Sequence, residues 1–450
     1  MARKKEAVRL TEGVIWKQIV AFMWPVLLAQ LFQEIYGLSN SMIVGNYIST
    51  AALSAVSTTQ TLLNLNGFFF FGLATGTGII VGQAYGANRT DDLKKTVGTV
   101  ITLAVIVGLL FTVFMEVFTP FLFQITNVST EIYHDAEVYF RVYNLGNIAV
   151  LLYSMLFYLL RSIGDSRHPL YYLIVSCVLN LVLGVFFIRA LHWEIAGVAL
   201  ATIISQLVVD VLCFRLLFSM DEFRLTAADF RVDAAVTKRI FSIGIPAAVQ
   251  NMLIALSTML IQSYINRFST EAIAGIGVGQ RVANWSQMPL LAISTVAVSF
   301  VAQNIGAGKY ERVSEGIKVC VKLGMAVTAV CVGIIFAFAS PLIAMFDSDP
   351  EVIRYGTQMC RYMLLSYIPL VWSHVYNGAC RGAGNMRIPL IIAVMTQCVF
   401  RLVFVYVAFW YVYDIRVIYL SGALCFTLAG IAAYLYFNYS NWTKEHALRS

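Results

Sequence analysis

The chain has 450 residues, of which 59% are hydrophobic and 12% charged, with a net charge of +7. Soluble globular chains carry about 25% charged residues. Half that fraction, with a mean hydropathy of +0.77, excludes a water-soluble fold and points to an integral membrane protein.

The first residues carry Arg3, Lys4, Lys5, Arg9 and Lys17 and lack the apolar core and small-residue cleavage site of a signal peptide, so none is expected. Helices are then predicted near 16–44, 52–82, 97–119, 138–160, 169–189 and 195–218. The second half adds 240–265, 272–302, 318–340, 355–380, 389–412 and 416–438. Each run is about as long as a helix needs to cross a hydrocarbon core of roughly 30 Å, and none shows the alternation of a membrane barrel. The fold class is all-α and polytopic, with twelve spans. With the N-terminus inside, 23 Lys and Arg lie at or beside inner segments, and only Arg189, Arg267, Arg354 and Arg416 lie outside. That bias predicts cytoplasmic termini in a cell membrane, and it accounts for the positive charge without a nucleic acid. The eight cysteines form no C-x-x-C pair, and Cys177, Cys213, Cys331 and Cys398 sit singly in apolar runs as core side chains. No Walker loop, dinucleotide fingerprint or metal-ligand spacing occurs, so no cofactor is expected beyond a coupling ion.

The chain repeats itself. RSIGDSRHPL at 161–170 returns as RGAGNMRIPL at 381–390. The same shift sets ALSAV (52–56) on AIAGI (272–276), NYIS (46–49) on NRFS (266–269) and VGQAYGANR (81–89) on VAQNIGAGK (301–309). Pro25 meets Pro246 one residue out of step. The pattern predicts an N-lobe over 1–218, a charged linker over 219–238 and a C-lobe over 239–450. Six helices per copy is an even number, so both copies enter the membrane in one sense, about an axis along its normal. In the repeated corner Gly164 and Gly384 allow a tight turn, Pro169 and Pro389 suit a first helical turn, and Arg161 and Arg381 add cytoplasmic charge. Two equal bundles that rock about a cleft make a secondary transporter driven by an ion gradient.

These residues resemble the multidrug and toxic compound extrusion (MATE) family, in its prokaryotic damage-inducible and MepA-like branches. The resemblance rests on WPVLLAQLFQEIYGLSNSMIVG, VGQAYGANR, LRSIGDSRHPL and NLVLG…IAGVALATIISQ in the first half. In the second half it rests on GIPAAVQNMLIALS, QMPLLAISTVAVSFVAQNIGAGK and RGAGNMRIPL, so that nearly the whole chain is covered. It implies a twelve-helix, two-lobed, V-shaped exporter of organic compounds, not an enzyme, that exchanges them for H⁺ or Na⁺. It also implies a carboxylate in helix 1, where this chain has Asn40, and another four residues after Asn180, where this chain has Gly184. The usual coupling site therefore does not carry over.

Glu34 is the replacement read from the residues. Gln30, Gln33, Glu34, Gly37 and Ser41 share one helix face, flanked by Asn40. An intramembrane carboxylate is a functional hypothesis by default, and one carboxylate carries a proton without a coordination cage. Sodium would want several oxygens, with Asn40, Ser41 and Asn180 as sources. Asp210, in ISQLVVDVLCFR, is the second carboxylate. Cavity candidates are Gln33, Tyr36, Asn64, Asn144 and Asn147 in the first half. The second half offers Gln250, Asn251, Asn284, Gln287, His374, Asn377 and Arg401. Arg401 and Arg281 would suit anionic or zwitterionic cargo, whereas cationic drugs would depend on Glu34 and aromatic rings. The expected partners are a small organic substrate and the lipid bilayer, with the chain acting as a monomer. A flippase for lipid-linked sugars shares the architecture but commonly has more helices. A membrane enzyme lacks its H-E-x-x-H or paired aspartates, and a channel lacks its filter.

Overall fold

The computed structural model describes residues 9–226 and 229–440, without the side chains of 38–43, 46 and 47. Its regular elements are all helical. The first half holds α1 (Ile15–Tyr47), α2 (Thr50–Gly86), α3 (Thr90–Ile125), α4 (Tyr133–Leu145), α5 (Asn147–Ser162), α6 (Arg167–Arg189) and α7 (Glu194–Ser219). The second holds α8 (Ala234–Ile265), α9 (Thr270–Trp285), α10 (Met288–Gly306), α11 (Tyr310–Ala344) and α12 (Pro350–Gly382). It ends with α13 (Arg387–Ala393), a π-helical stretch Val394–Phe400, α14 (Arg401–Tyr411) and α15 (Arg416–Tyr439).

All twelve expected spans are present. Ten helices are long and apolar enough to cross a membrane, and α4 with α5 makes an eleventh, bent by 54°. The bend falls at Gly146, where any side chain would collide with Ile203 of α7. The span expected over 272–302 breaks after Trp285, and Pro289 restarts it inside the first turn of α10. The twelfth span is α12, whose Arg361 and His374 lower its hydropathy.

The chain falls into two compact units that do not follow chain order. Among the described residues, one gathers Arg9 with Leu28–Ala248, the other Leu10–Leu27 with Val249–Ser440. The leading halves of α1 and α8 are thus exchanged relative to the lobes drawn from the repeat. Pro25 and Pro246 stand just before the two switch points. In the second unit Leu10 is fully buried, its N–H donates to Gln303 Oε1 at 3.0 Å, and its carbonyl accepts from Asn304 Nδ2 at 3.2 Å. Arg312 donates to the Glu12 carbonyl and to Gln18 Oε1 at 3.0 and 2.9 Å. In the first unit Thr99 Oγ1 donates to the Arg231 carbonyl at 3.0 Å, and Arg239 donates to Gln83 Oε1 at 2.8 Å. Gln83 and Gln303 are repeat counterparts, so the same position holds the incoming segment in each unit.

The repeated corner is one backbone device used twice. Gly164 and Gly384 have φ of +93° and +84°, the left-handed region that favours glycine. The following N–H groups return to the helix just ended, from Asp165 to the Leu160 carbonyl at 3.0 Å and from Asn385 to the Cys380 carbonyl at 2.9 Å. Asp165 Oδ1 then accepts the N–H groups of Arg167 and His168, both at 3.1 Å, and Asn385 Oδ1 accepts that of Arg387 at 3.2 Å. A left-handed glycine after one helix and an Asx residue just before the next satisfy part of the orphan groups at each corner. Arg161 departs from the expectation of a surface charge: it is buried, and its Nε has no partner.

Candidate functional site

The polar interior of the first unit centres on Tyr36 of α1. Its hydroxyl lies beside Thr202 of α7, and Asn180 Nδ2 of α6 donates to Thr202 Oγ1 at 2.9 Å. Tyr139 and Tyr143 lie beside Tyr36, with their two rings 6.2 Å apart. Gly184 sits one turn past Asn180, and a Cβ there would meet only the Ala201 methyl at 4.0 Å. The place where the family pattern expects a carboxylate therefore has room for one. Asn180 and Tyr36 were legible as polar residues on apolar helices. Thr202 and Tyr139 were not, because a threonine or tyrosine on such a helix carries no signal until its neighbours are known.

Asn144 and Asn147 are fully enclosed and serve packing. Asn66 Nδ2 and Asn147 Nδ2 both donate to Asn144 Oδ1, at 2.8 and 3.1 Å, while Asn144 Nδ2 donates to the Phe140 carbonyl at 2.8 Å. Thr112 of α3 adds a bond to the Asn144 carbonyl at 2.9 Å. This network ties α2, α3, α4 and α5 together. Asn64 lies apart from it, exposed, accepting from Gln60 at 3.3 Å.

The two carboxylate candidates are placed very differently. Glu34 and Gln33 are exposed. Asp210 is 2% exposed, and neither of its oxygens has a hydrogen-bond partner. Gln206 Oε1, one turn earlier on α7, is likewise enclosed without a partner. Arg215, the nearby cation on the same helix, is exposed and forms no ion pair with Asp210. The side chains of Asn40 and Ser41 lie outside the described residues. Elsewhere in the unit, Glu116 is ion-paired to Arg141 at 2.7 Å, and Arg141 also holds Glu137 at 2.9 Å.

In the second unit α12 presents Ser373, His374, Asn377 and Arg381 along one face. Asn377 Nδ2 donates to Ser373 Oγ at 3.0 Å, Arg381 donates to Gln250 Oε1 at 3.4 Å, and the Arg381 charge reaches His374. Gln287, at the break between α9 and α10, donates to the Tyr367 hydroxyl at 3.0 Å. Asn251 is partly buried, Asn284 and Arg281 are exposed, and Arg401 is partly buried with its Nε enclosed. Among the described residues, no three His, Cys, Asp or Glu gather closely enough to hold a metal ion.

The MatE family model matches residues 25–186 and 246–407. The chain belongs to the MatE family. The matched stretches, one per repeat, begin at the two prolines that precede the switch between units. A Bacillus subtilis relative, "Probable multidrug resistance protein YoeA", is 28% identical over 390 residues, covering 84% of each chain. The "FAD transporter" of Shewanella oneidensis is 26% identical over 332 residues, covering 72% of this chain and 73% of its own. A crystal structure described as "MATE in the bent conformation" superposes with a TM-score of 0.91 at 20% identity, covering 99% of this chain and 100% of that one. This MatE protein is a multi-pass membrane transporter with the all-helical MATE fold, and it is not an enzyme.

Proposed function

We propose that the protein exports small organic compounds across the cell membrane by alternating access, in antiport with H⁺, or with Na⁺ in its place, as a monomer with cytoplasmic termini. The observation that carries the coupling is Asp210. A carboxylate enclosed in a membrane helix without a donor needs a proton or a cation beside it. Such a group takes up and gives back a proton as access to its unit alternates. A single enclosed carboxylate carries a proton without the several oxygens that sodium would want, which favours proton over sodium. Glu34, exposed on the α1 span, is the second candidate carrier. The relative named a probable multidrug resistance protein supports drugs as cargo. The relative named an FAD transporter favours a second reading, export of one dedicated metabolite.

The test is efflux from proteoliposomes under a pH gradient and then a sodium gradient, with rhodamine 6G and fluorescein as cationic and anionic reporters. The pH gradient is expected to drive wild type, Asp210→Asn to lose at least about tenfold in rate, and Glu34→Gln to stay near wild type. Full proton-driven efflux by Asp210→Asn would remove Asp210 as the carrier. Failure of both gradients to move either dye would overturn the export reading.

A further inference from the structure

Of the 31 Lys and Arg, the four assigned to neither side of the membrane lie inside predicted spans: Arg141, Arg281, Arg361 and Arg401. Only the first is in the first unit, where Glu116 and Glu137 neutralise it. Its repeat counterpart is Arg361, and the counterpart of Glu116 is Phe336. The same contact recurs, but as a guanidinium 5.3 Å from the Phe336 ring. The second unit has thus kept the cation and lost the anion. The acidic residues of its described part lie in loops or in the first two turns of helices, as with Glu271 on α9, Glu311 and Glu315 on α11, and Glu351 on α12.

Arg401 is the deepest consequence. It stands ten residues before the end of α14, about 15 Å from that end at 1.5 Å per residue. Side chains on a helix lean towards its N-terminus, so Arg401 leans away from the outer interface rather than reaching for it. Its Nε is enclosed with no partner. Asp414, the acidic residue next along the chain, is paired with Arg416 at 3.9 Å. Gly422 of α15 lets Arg401 and Met363 pack closely against that helix: a Cβ there would meet Met363 Sδ at 2.7 Å and Arg401 Nη2 at 3.7 Å. Cys425, one turn further, is within reach of its charge. The backbone that presents Arg401 is the π-helical stretch Val394–Phe400, whose widened turns leave the Gln397 carbonyl to accept from Ser257 Oγ at 2.7 Å. Single-turn π-bulges inside helices are frequent at functional sites.

We propose that the second unit holds an anion-binding site at Arg401, which takes a carboxylate or phosphate group of the transported molecule. The cargo assignment rests on the export reading above; the site itself does not. An anionic lipid headgroup carries the same chemistry and is the other source of such a group.

The test is equilibrium binding of fluorescein, an anionic dye, and rhodamine 6G, a cationic one, to the purified full chain in neutral detergent. Binding needs no transport, so the site and the export reading fail separately. Arg401→Gln is expected to weaken fluorescein by about tenfold or more, the loss of one charge-assisted contact, and to leave rhodamine 6G within about twofold. Arg401→Lys should keep most of the fluorescein affinity. Cys425→Asp places a carboxylate beside Arg401 and should abolish fluorescein binding, which decides the matter if Arg401→Gln does not fold. Displacement of fluorescein by phosphatidylglycerol would assign the site to a lipid headgroup. Binding that survives the lipid, with fluorescein counterflow in vesicles, would assign it to cargo. Unchanged fluorescein affinity in both Arg401→Gln and Cys425→Asp, or equal loss of both dyes in folded protein, would overturn the proposal.

Discussion

Replacing Asn144 with leucine isolates what the buried asparagine network contributes. Leucine has the same branched skeleton of four side-chain heavy atoms, so the change removes hydrogen bonds without opening a cavity. Asn144 is fully buried, accepts from Asn66 and Asn147, and donates to the Phe140 carbonyl. Leucine strands the Asn66 and Asn147 donors, while the Phe140 carbonyl keeps its helical partner. Interhelical bonds in membranes are worth about 0.6 kcal/mol on average, and a stranded buried donor costs about 1–3 kcal/mol. Two stranded donors with incomplete relaxation give a loss of about 2–4 kcal/mol. Equilibrium unfolding in mixed micelles, followed by tryptophan fluorescence, measures it. The double variant Asn66→Leu/Asn144→Leu removes both ends of the 2.8 Å bond and should cost less than the sum of the singles by about 1 kcal/mol. Asn144→Leu should still transport at temperatures where it is folded. A loss below about 0.5 kcal/mol, or strict additivity in the cycle, would refute the network as a source of stability.

Gly184→Asp should fold, because a Cβ there meets only Ala201 at 4.0 Å, and it should make efflux respond to sodium by placing a carboxylate one turn from Asn180. Efflux indifferent to sodium would break that link. Gly164→Ala and Gly384→Ala should each cost about 1–2 kcal/mol, because alanine pays for the left-handed backbone that glycine adopts freely; thermal unfolding would show it, and unchanged midpoints would contradict the shared corner geometry. The Thr226 N–H and hydroxyl donate to Asp229 Oδ2 at 2.7 and 2.8 Å and hold its carboxyl below the usual range. A depressed folded value contributes stability above the unfolded value of about 3.9, lost as pH falls through the folded one. Asp229→Ala should therefore melt below wild type at neutral pH, with the gap closing under acid; a gap that widens there would reverse the assignment.

The twelve spans were legible because runs of about twenty apolar residues have few other uses. The repeated corner was legible because glycine, an Asx cap and proline each leave a residue signature at fixed offsets. Periodicity placed Gln33, Glu34 and Gly37 on one face, but a shared face does not say what it faces. Packing alone set Asp210 inside and Glu34 outside. Arg161 read as a topology charge because it falls in a corner expected to be cytoplasmic, and only packing shows it buried. The π-helical turns before Arg401 have no residue signature, since Val, Met, Thr, Gln, Cys and Phe serve equally in an α-helix. Asn144 and Asn147 were visible as a polar pair on one face, yet only the meeting of α2 with α4 and α5 decides between lining and tying.

The exchanged half-helices bear on how the chain is made. Leu10–Leu27 leaves the ribosome well over two hundred residues ahead of Val249, where the rest of its unit begins, and it must wait in the bilayer without its final neighbours. The first unit waits in turn for the start of α8. A gene cut in the linker would yield two fragments, each lacking a piece that completes the other's unit in this structure. The duplication visible in the sequence is locked in place by that dependence: once each copy borrows the other's opening segment, losing either one leaves both unfinished.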